Sequence, residues 1–329
     1  MTPTIFNLNI LITSVGRRVS LIKAFQKEGK ELFGNNIKVF TTDLNPSLSS
    51  ACCVSDGAFK VGKFSDDNYM ASILKICKDN KIGILIPTID TELLLLANHH
   101  NEFQKIGCNL VLSDLSIIKI CRDKRLTNKF FSDHNFNIPN SYSKNNLQFP
   151  VFIKPYNGSS SNNLLLAKSK DDISQTVMNN EDLMFLEYLA KEEYDEYTVD
   201  IYYDRNSTIK CIVPRLRIET RHGEISKGLT INNFIVPFVL SSMNNLIGFR
   251  GCITLQVFAH KVSQKIYGIE INPRFGGGYP LSYLADANYV KWILQEYLKN
   301  DLITYKSDWK DKLLLLRYDN ELIFENYGN

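Results

Sequence analysis

Several large protein classes are excluded by what this 329-residue chain lacks. No apolar run approaches the ~20 residues that span a bilayer. The longest near the start, Leu8 to Val15, is interrupted by Asn9 and Thr13 and reads as a buried strand. The opening Met1-Thr2-Pro3-Thr4 lacks a charged region followed by a long apolar run, so no signal peptide is expected and a cytoplasmic location is. An excess of one charge is also missing. A formal net charge of +3 gives no reason to invoke a polyanion, and no basic stripe is interleaved with aromatics. Neither a nucleic acid nor a membrane is expected as a partner. The seven cysteines form no CxxC pair and are odd in number, which suits reduced thiols. The five histidines show no HxxH or HExxH spacing, which argues against zinc. A GxSxG elbow, a Walker A loop, internal repeats and low-complexity tracts are all absent.

What is present suggests two or three domains, at roughly 150 residues each. The first third alternates strands with helical patterns. Strands are expected at Asn9–Thr13, Ile37–Thr41 and Ile82–Ile86, with a helical face of Leu21, Ile22 and Phe25 between the first two. This βαβα order implies a mostly parallel sheet covered by helices, over residues 1–115. Residues 116–149 read as a linker, helical over Ser116–His134. A small α+β unit follows at 150–188, a candidate mobile lid. The remainder, 189–329, is antiparallel in character. It holds two hairpins, about Asp204-Arg205-Asn206 and about His260–Gln264, and a helix over Tyr279–Lys299.

The string Tyr267-Gly-Ile-Glu-Ile-Asn-Pro-Arg-Phe-Gly-Gly-Gly278 carries the most chemistry. On a strand, Glu270 and Asn272 share one face, and Ile269 and Ile271 are expected on the other, in a core. Gln256 is placed across the hairpin from Glu270. One carboxylate and two amide oxygens make a hard, oxygen-only donor set, suited to Mg²⁺. Pro273 ends the strand, Arg274 follows, and the glycine run lets backbone approach a ligand. A second string, Phe152-Ile-Lys-Pro-Tyr-Asn-Gly-Ser-Ser-Ser161, sets Lys154 on an apolar strand, where a cation is costly without an anionic partner. The loop after it offers amides and hydroxyls to phosphate oxygens. The third string, Leu186-Glu187-Tyr188-Leu189 and then Asp195-Glu196, is by itself a charged connector entering a strand.

Together and in this order, these strings resemble the ATP-grasp superfamily, especially the branch like the carbamoyl-phosphate synthase large chain and stand-alone carboxylate–amine ligases. The resemblance spans nearly the whole chain. It implies an ATP-grasp fold of mixed α/β and α+β class. A Rossmann-like pre-ATP-grasp domain would be followed by a small lid subdomain and an antiparallel catalytic subdomain. It also implies roles. Lys124 and Lys154 match the nucleotide-contacting lysines, and Gly158, Ser159, Ser160 and Ser161 the phosphate-covering loop. Glu187, Tyr188 and Leu189 match the connector at the adenine edge, and Glu196 the ribose-binding acid. Gln256, Glu270 and Asn272 match the Mg²⁺ ligands, and Arg274 the arginine beside the transferred phosphoryl group. Asp195 stands where the family often has glycine, and Gln256 where many relatives have an acid.

The implied activity is an ADP-forming ligase using ATP and Mg²⁺, with Mn²⁺ as a substitute. It would activate a small-molecule carboxylate as an acyl-phosphate for attack by an amine, and relatives suggest a homodimer. Alternatives are a carbamoyl-phosphate synthase-like subunit and a non-catalytic nucleotide-binding module. For the acyl substrate, Arg215, Arg217 and Lys227 offer cations ahead of the metal strands; a solvated basic strand fits them equally. Gly16-Arg17-Arg18, at the first strand–helix turn, is either an anion site or a tight turn with exposed arginines. Asp90 lies just beyond a parallel strand's carboxyl end, where such sheets bind ligands.

Overall fold

The computed structural model describes residues 7–158, 164–221 and 223–327. Three sheets follow one another along the chain. The first is parallel, with β1 (Asn9–Thr13), β2 (Val39–Asp43), β3 (Gly57–Lys60), β4 (Ile82–Pro87) and β5 (Asn109–Leu110) in the spatial order β3-β2-β1-β4-β5. All six residues of the inner strand β4 are buried, as a parallel strand covered on both faces requires. Alternation splits the sheet between two cores. Ile10, Ile12, Ile84 and Ile86 pack with Leu21, Ile22 and Phe25 of the helix Val19–Phe33. Leu11 and Leu85 pack on the other side with Ile73 and Leu93. The edge strand β3 alternates between half-buried and exposed residues, and nothing in its sequence periodicity announces it.

The second sheet is small and antiparallel: β6 (Val151–Pro155), β7 (Leu165–Ala167) and β8 (Leu183–Glu187), in the order β7-β6-β8. It has a core of its own, in which Val151, Ile153, Ala167, Ile173 and Phe185 are buried. The third sheet is antiparallel and has six strands: β9 (Tyr194–Tyr203), β10 (Ile209–Arg221), β11 (Glu224–Thr230), β12 (Gly251–His260), β13 (Ile266–Asn272) and β14 (Leu314–Leu316). Their order is β13-β12-β9-β10-β11-β14.

Two expected helices are interrupted. The span Ser116–His134 divides into Leu115–Arg122 and Lys124–Asp133, because the Asp123 carboxylate caps the second helix by accepting the Arg125 N–H at 2.9 Å. The span Tyr279–Lys299 divides into Tyr279–Leu284, Tyr289–Leu294 and the π-helical turn Gln295–Lys299. Asp286 takes a left-handed φ of 70° at the break, and the Asn288 side chain caps the next helix through the Lys291 N–H. The break lets the core run without interruption from the first sheet into the third. Phe25 meets Phe275 edge-on at 6.1 Å, and Tyr289, Val290 and Ile293 join the same cluster.

Beneath the third sheet lies a buried ion pair. Arg215 on β10 is 1% exposed and donates to Asp200 on β9 through Nε (2.8 Å) and Nη2 (3.0 Å). Ser282 donates to the same carboxylate at 2.6 Å, and Tyr289 donates to the Asp200 carbonyl at 2.8 Å. One residue, through its carboxylate and its carbonyl, thus ties two strands to two helices. Breaking such a pair leaves an uncompensated buried charge. Arg215→Leu should therefore cost about 3–5 kcal/mol, measured by urea denaturation. A loss below about 1 kcal/mol, the scale of exposed pairs, would contradict this account.

Candidate active site

The site is aimed by an irregularity in β13. Gln256 on β12 pairs opposite Glu270, and Thr254 opposite Asn272. One step further on, Val257 pairs with Gly268, so Ile269 is an extra residue on β13, a β-bulge. The bulge overturns one expectation from strict alternation. Ile271 is buried at 1% exposure, as expected, whereas Ile269 is half-buried and lines a cavity beside Glu270.

That cavity has a volume of about 450 Å³. Lys124, Lys154, Gly158, Glu187, Tyr188, Leu189, Glu196, Gln256 and Glu270 all line it, against apolar walls from Phe152, Leu186, Phe258 and Ile269. Lys154, on β6, is 7% exposed. Burial pushes its pKa down to about 8; the Glu270 carboxylate raises it and the Lys124 ammonium lowers it. Lys124 opens the helix behind the Asp123 cap and donates to the Gly158 carbonyl at 2.7 Å. Glu187 accepts from the Asn140 backbone N–H (3.1 Å) and side chain (2.8 Å). Glu196 accepts from Gln256 Nε2 at 2.5 Å and lies 2.9 Å from Arg217 Nε, so it braces the amide opposite Glu270. Ser159, Ser160 and Ser161 lie outside the described residues.

A second cavity, of about 550 Å³, adjoins the first and shares Arg217, Gly223, Gln256 and Glu270 with it. Five arginines (17, 18, 215, 217 and 274) line it against three carboxylates, Asp90, Glu224 and Glu270. Asp90 Oδ2 accepts from Arg274 Nε at 3.0 Å and Nη2 at 2.5 Å. With its amide nitrogen turned to Asp90, Asn272 donates to both oxygens at 3.1 and 3.2 Å. A carboxylate at the rim of the parallel sheet thereby holds two of the residues singled out on β13 and just after it.

The sequence left the turn Gly16-Arg17-Arg18 undecided between an anion site and exposed arginines; both arginines line the second cavity, and Arg18 is the more engaged. Its guanidinium donates to the Phe275 carbonyl (3.1 Å) and the Thr88 carbonyl (3.0 Å), and no carboxylate pairs with it among the described residues. Burial and neighbouring Arg274 lower its pKa to about 10. Glu224 was not expected at all, since nothing in the sequence sets it apart from other surface acids. Two of the expected substrate residues are misplaced. Lys227 points away from both cavities and is half exposed, paired with Glu219 at 2.7 Å. Gly16 shapes the turn with a φ of 50°, and its N–H donates to Asp43 at 3.0 Å; it does not line the cavity. Arg215 lines the cavity, but two of its nitrogens are committed to Asp200.

The donor set can be tested against a divalent ion. Glu270 has no hydrogen-bond or ion-pair partner among the described residues, although it is half-buried between two cavities. The described residues hold no cluster of three or more His, Cys, Asp or Glu side chains able to bind a metal. One carboxylate with the amides of Gln256 and Asn272 therefore fits a hard ion that brings further oxygen ligands with it, as a nucleotide-bound Mg²⁺ does.

Residues 10–111 match a family model described as PylC-like, N-terminal domain. Residues 179–316 match one described as ATP-grasp in the biosynthetic pathway with Ter operon. No curated protein matches the chain in sequence. Among solved structures, the biotin carboxylase domain of 2-oxoglutarate carboxylase from Hydrogenobacter thermophilus, in complex with MgADP, ADP and bicarbonate, superposes with a TM-score of 0.71 at 13% identity, covering 93% of this chain and 73% of that one. N5-carboxyaminoimidazole synthetase from Staphylococcus aureus, complexed with ADP, gives 0.66 at 15% identity, covering 91% and 79%. L-amino acid ligase from Bacillus licheniformis gives 0.66 at 15% identity, covering 90% and 75%. At these identities the likeness is one of fold.

The depressed Lys154 pKa carries a stability cost. The folded state binds this proton less tightly than the unfolded chain, whose lysine titrates near 10.5. The cost is in full force below about pH 8 and disappears as the pH approaches 10.5. Lys154→Met should stabilise the nucleotide-free protein at pH 7 by on the order of 3 kcal/mol, and the gain should shrink by pH 10. Chemical denaturation of both proteins at the two pH values measures this. A variant no more stable than the parent at pH 7 would contradict it.

Proposed function

Because the chain carries a PylC-like N-terminal domain followed by an ATP-grasp domain, we propose that it is an ATP-dependent, ADP-forming ligase that joins a carboxylate to an amine. The observation that carries this reading is the seam between the two cavities. A nucleotide in one would present its terminal phosphate to a carboxylate in the other across Gln256 and Glu270. The excess of arginines over carboxylates in the second cavity favours an anionic substrate there.

In this reading the substrate carboxylate attacks the γ-phosphorus, the bond from that phosphorus to the bridging oxygen breaks, and ADP leaves. The acyl-phosphate is then attacked at carbon by the amine nitrogen. Inorganic phosphate departs, and the amine's proton passes to water. Lys154 and Lys124 hold phosphate oxygens, and Arg274 stabilises the transferring group. Glu187, Tyr188 and Leu189 border the base, and Glu196 the ribose. Phosphoryl transfer asks the protein mainly for such positioning and charge stabilisation. When bound on Gln256, Glu270 and Asn272, Mg²⁺ supplies neutralising charge at the terminal phosphate, and Mn²⁺ would suit the same oxygens. The small second sheet acts as the lid that keeps water from the acyl-phosphate.

Two further parts of the proposal concern assembly and setting. The H. thermophilus neighbour is described as a domain dimer, which favours a homodimer. None of the seven cysteines is in a disulfide, and no helix among the described residues is long and apolar enough to cross a membrane. Both fit a reduced cytoplasmic setting.

Hydroxylamine in place of the amine tests the acyl-phosphate directly. With ATP, Mg²⁺ and the right acid, the protein should form ADP and a hydroxamate in equal amounts. Glu270→Ala should lower that rate by on the order of 10²-fold or more. Wild-type turnover by this variant would remove the metal assignment, and ATP binding without ADP release across all acids would favour a non-catalytic module.

A further inference from the structure

We propose that a third cavity, on the far side of the second from the nucleotide, is the binding vestibule of the amine substrate, and that this amine carries a carboxylate. The proposal rests on the ligase reading above. The third cavity has a volume of about 420 Å³. It shares Arg17, Arg18, Glu224, Ile225, Gly276 and Gly277 with the second cavity and no residue with the nucleotide cavity. The three cavities thus form a row. A nucleotide occupying the first blocks that end of the row, and the vestibule gives the second substrate a way to the acyl group from the other end.

The partition between the second and third cavities is a set of side chains. Glu224 Oε2 forms an ion pair with Arg17 Nη2 at 3.1 Å and accepts from Arg317 Nη1 at 2.9 Å, and Arg317 Nη2 also donates to the Gly277 carbonyl at 2.6 Å. The three side chains come from three separate places: the turn after β1, the start of β11 and the segment just beyond β14. All are partly exposed, Arg17 at 65%, Glu224 at 33% and Arg317 at 27%. Ion pairs this exposed contribute only about 0–1 kcal/mol each, so the partition opens cheaply. A side chain at Gly277 would put its Cβ 2.5 Å from Glu224 Oε1, which explains why the glycine run continues to this point.

The same geometry identifies the ligand. Two guanidiniums converge on one oxygen of one carboxylate, and that carboxylate belongs to the protein. The cradle is built for an anion of this shape, and Glu224 holds the place that a substrate carboxylate takes by exchange. The outer wall adds Lys23, which has no ion-pair partner among the described residues, and Arg221, held by Asp319 at 2.5 Å. A carboxylate anchored on Arg17 and Arg317 leaves the amine end of the same molecule to reach inward past Gly276 and Gly277.

The test uses the full chain with ATP and Mg²⁺. Hydroxylamine is first paired with each of the twenty amino acids and with glucuronic and galacturonic acids, so that hydroxamate formation names the acid. That acid is then offered the twenty amino acids and the amines obtained from them by decarboxylation. Amines that keep the carboxylate should be ligated in strong preference to their decarboxylated partners. Arg17→Ala and Arg317→Ala should each raise the KM for the preferred amine about tenfold or more, with a much smaller change in the KM for ATP. Arg317→Lys, which keeps the charge, should recover most of the loss. Thermal melting of each variant separates these effects from unfolding. Equal use of the decarboxylated amines, or KM values for amine and ATP that move together in both arginine variants, would overturn the vestibule. Failure to form a hydroxamate with any acid would instead overturn the ligase reading on which it rests.

Discussion

Ile269 is one residue more than the β12–β13 pairing needs, and the whole site depends on it. In a regular antiparallel pair, neighbours along a strand face opposite sides. The bulge breaks that rule at one point, so that Ile269 and Glu270 both reach the cavity while Ile271 stays in the core. The apolar wall and the carboxylate are therefore set side by side on one strand. β12 holds the arrangement from behind, because it is paired along its length with β9 and cannot slip. A one-residue slip would bury Glu270 and expose Ile271.

Charge is managed differently on the two sides of that strand. On the side of the first cavity, burial lowers the pKa of Lys154, with an offsetting carboxylate and a repelling ammonium nearby. On the other side, cations outnumber carboxylates, yet most are already engaged: Arg215 by Asp200, Arg217 by Glu196 and Arg274 by Asp90. Among the described residues, Arg18 differs from these in being held by carbonyls without a carboxylate, which orients it without neutralising it. Burying a charge on carbonyl oxygens is costly unless an anion eventually arrives.

Much of this was legible in the sequence, for physical reasons that can be named. Glu270, Asn272 and Gln256 were legible because a hairpin brings residues of fixed spacing together. The parallel first sheet was legible because buried strands such as β4 are apolar throughout. Elements that rely on distant partners were not. β14 exists because β11 offers it an edge, and Glu224 matters only because Arg17 and Arg317 meet it from far along the chain. Lys227 and Arg215 looked alike as cations ahead of β12 and β13, but one faces solvent and the other a buried carboxylate. Strand spacing indicates which residues share a face; it does not say which face meets a cavity. Helix breaks at Asp123 and Asp286 escaped for a related reason, since a helical hydrophobic pattern can continue across a break that tertiary packing imposes.

The second cavity is walled by both halves of the molecule: Arg17, Arg18 and the four residues from Thr88 to Thr91 follow strands of the parallel sheet, and the rest come from the antiparallel sheet and the glycine turn after β13. The first cavity, in contrast, draws nothing from residues 7–115. On the proposed reading, the first hundred residues contribute to the choice of acid and take no part in holding the nucleotide. A lineage could exchange the loops of its first hundred residues and acquire a new product while the phosphate machinery behind it stayed as it was.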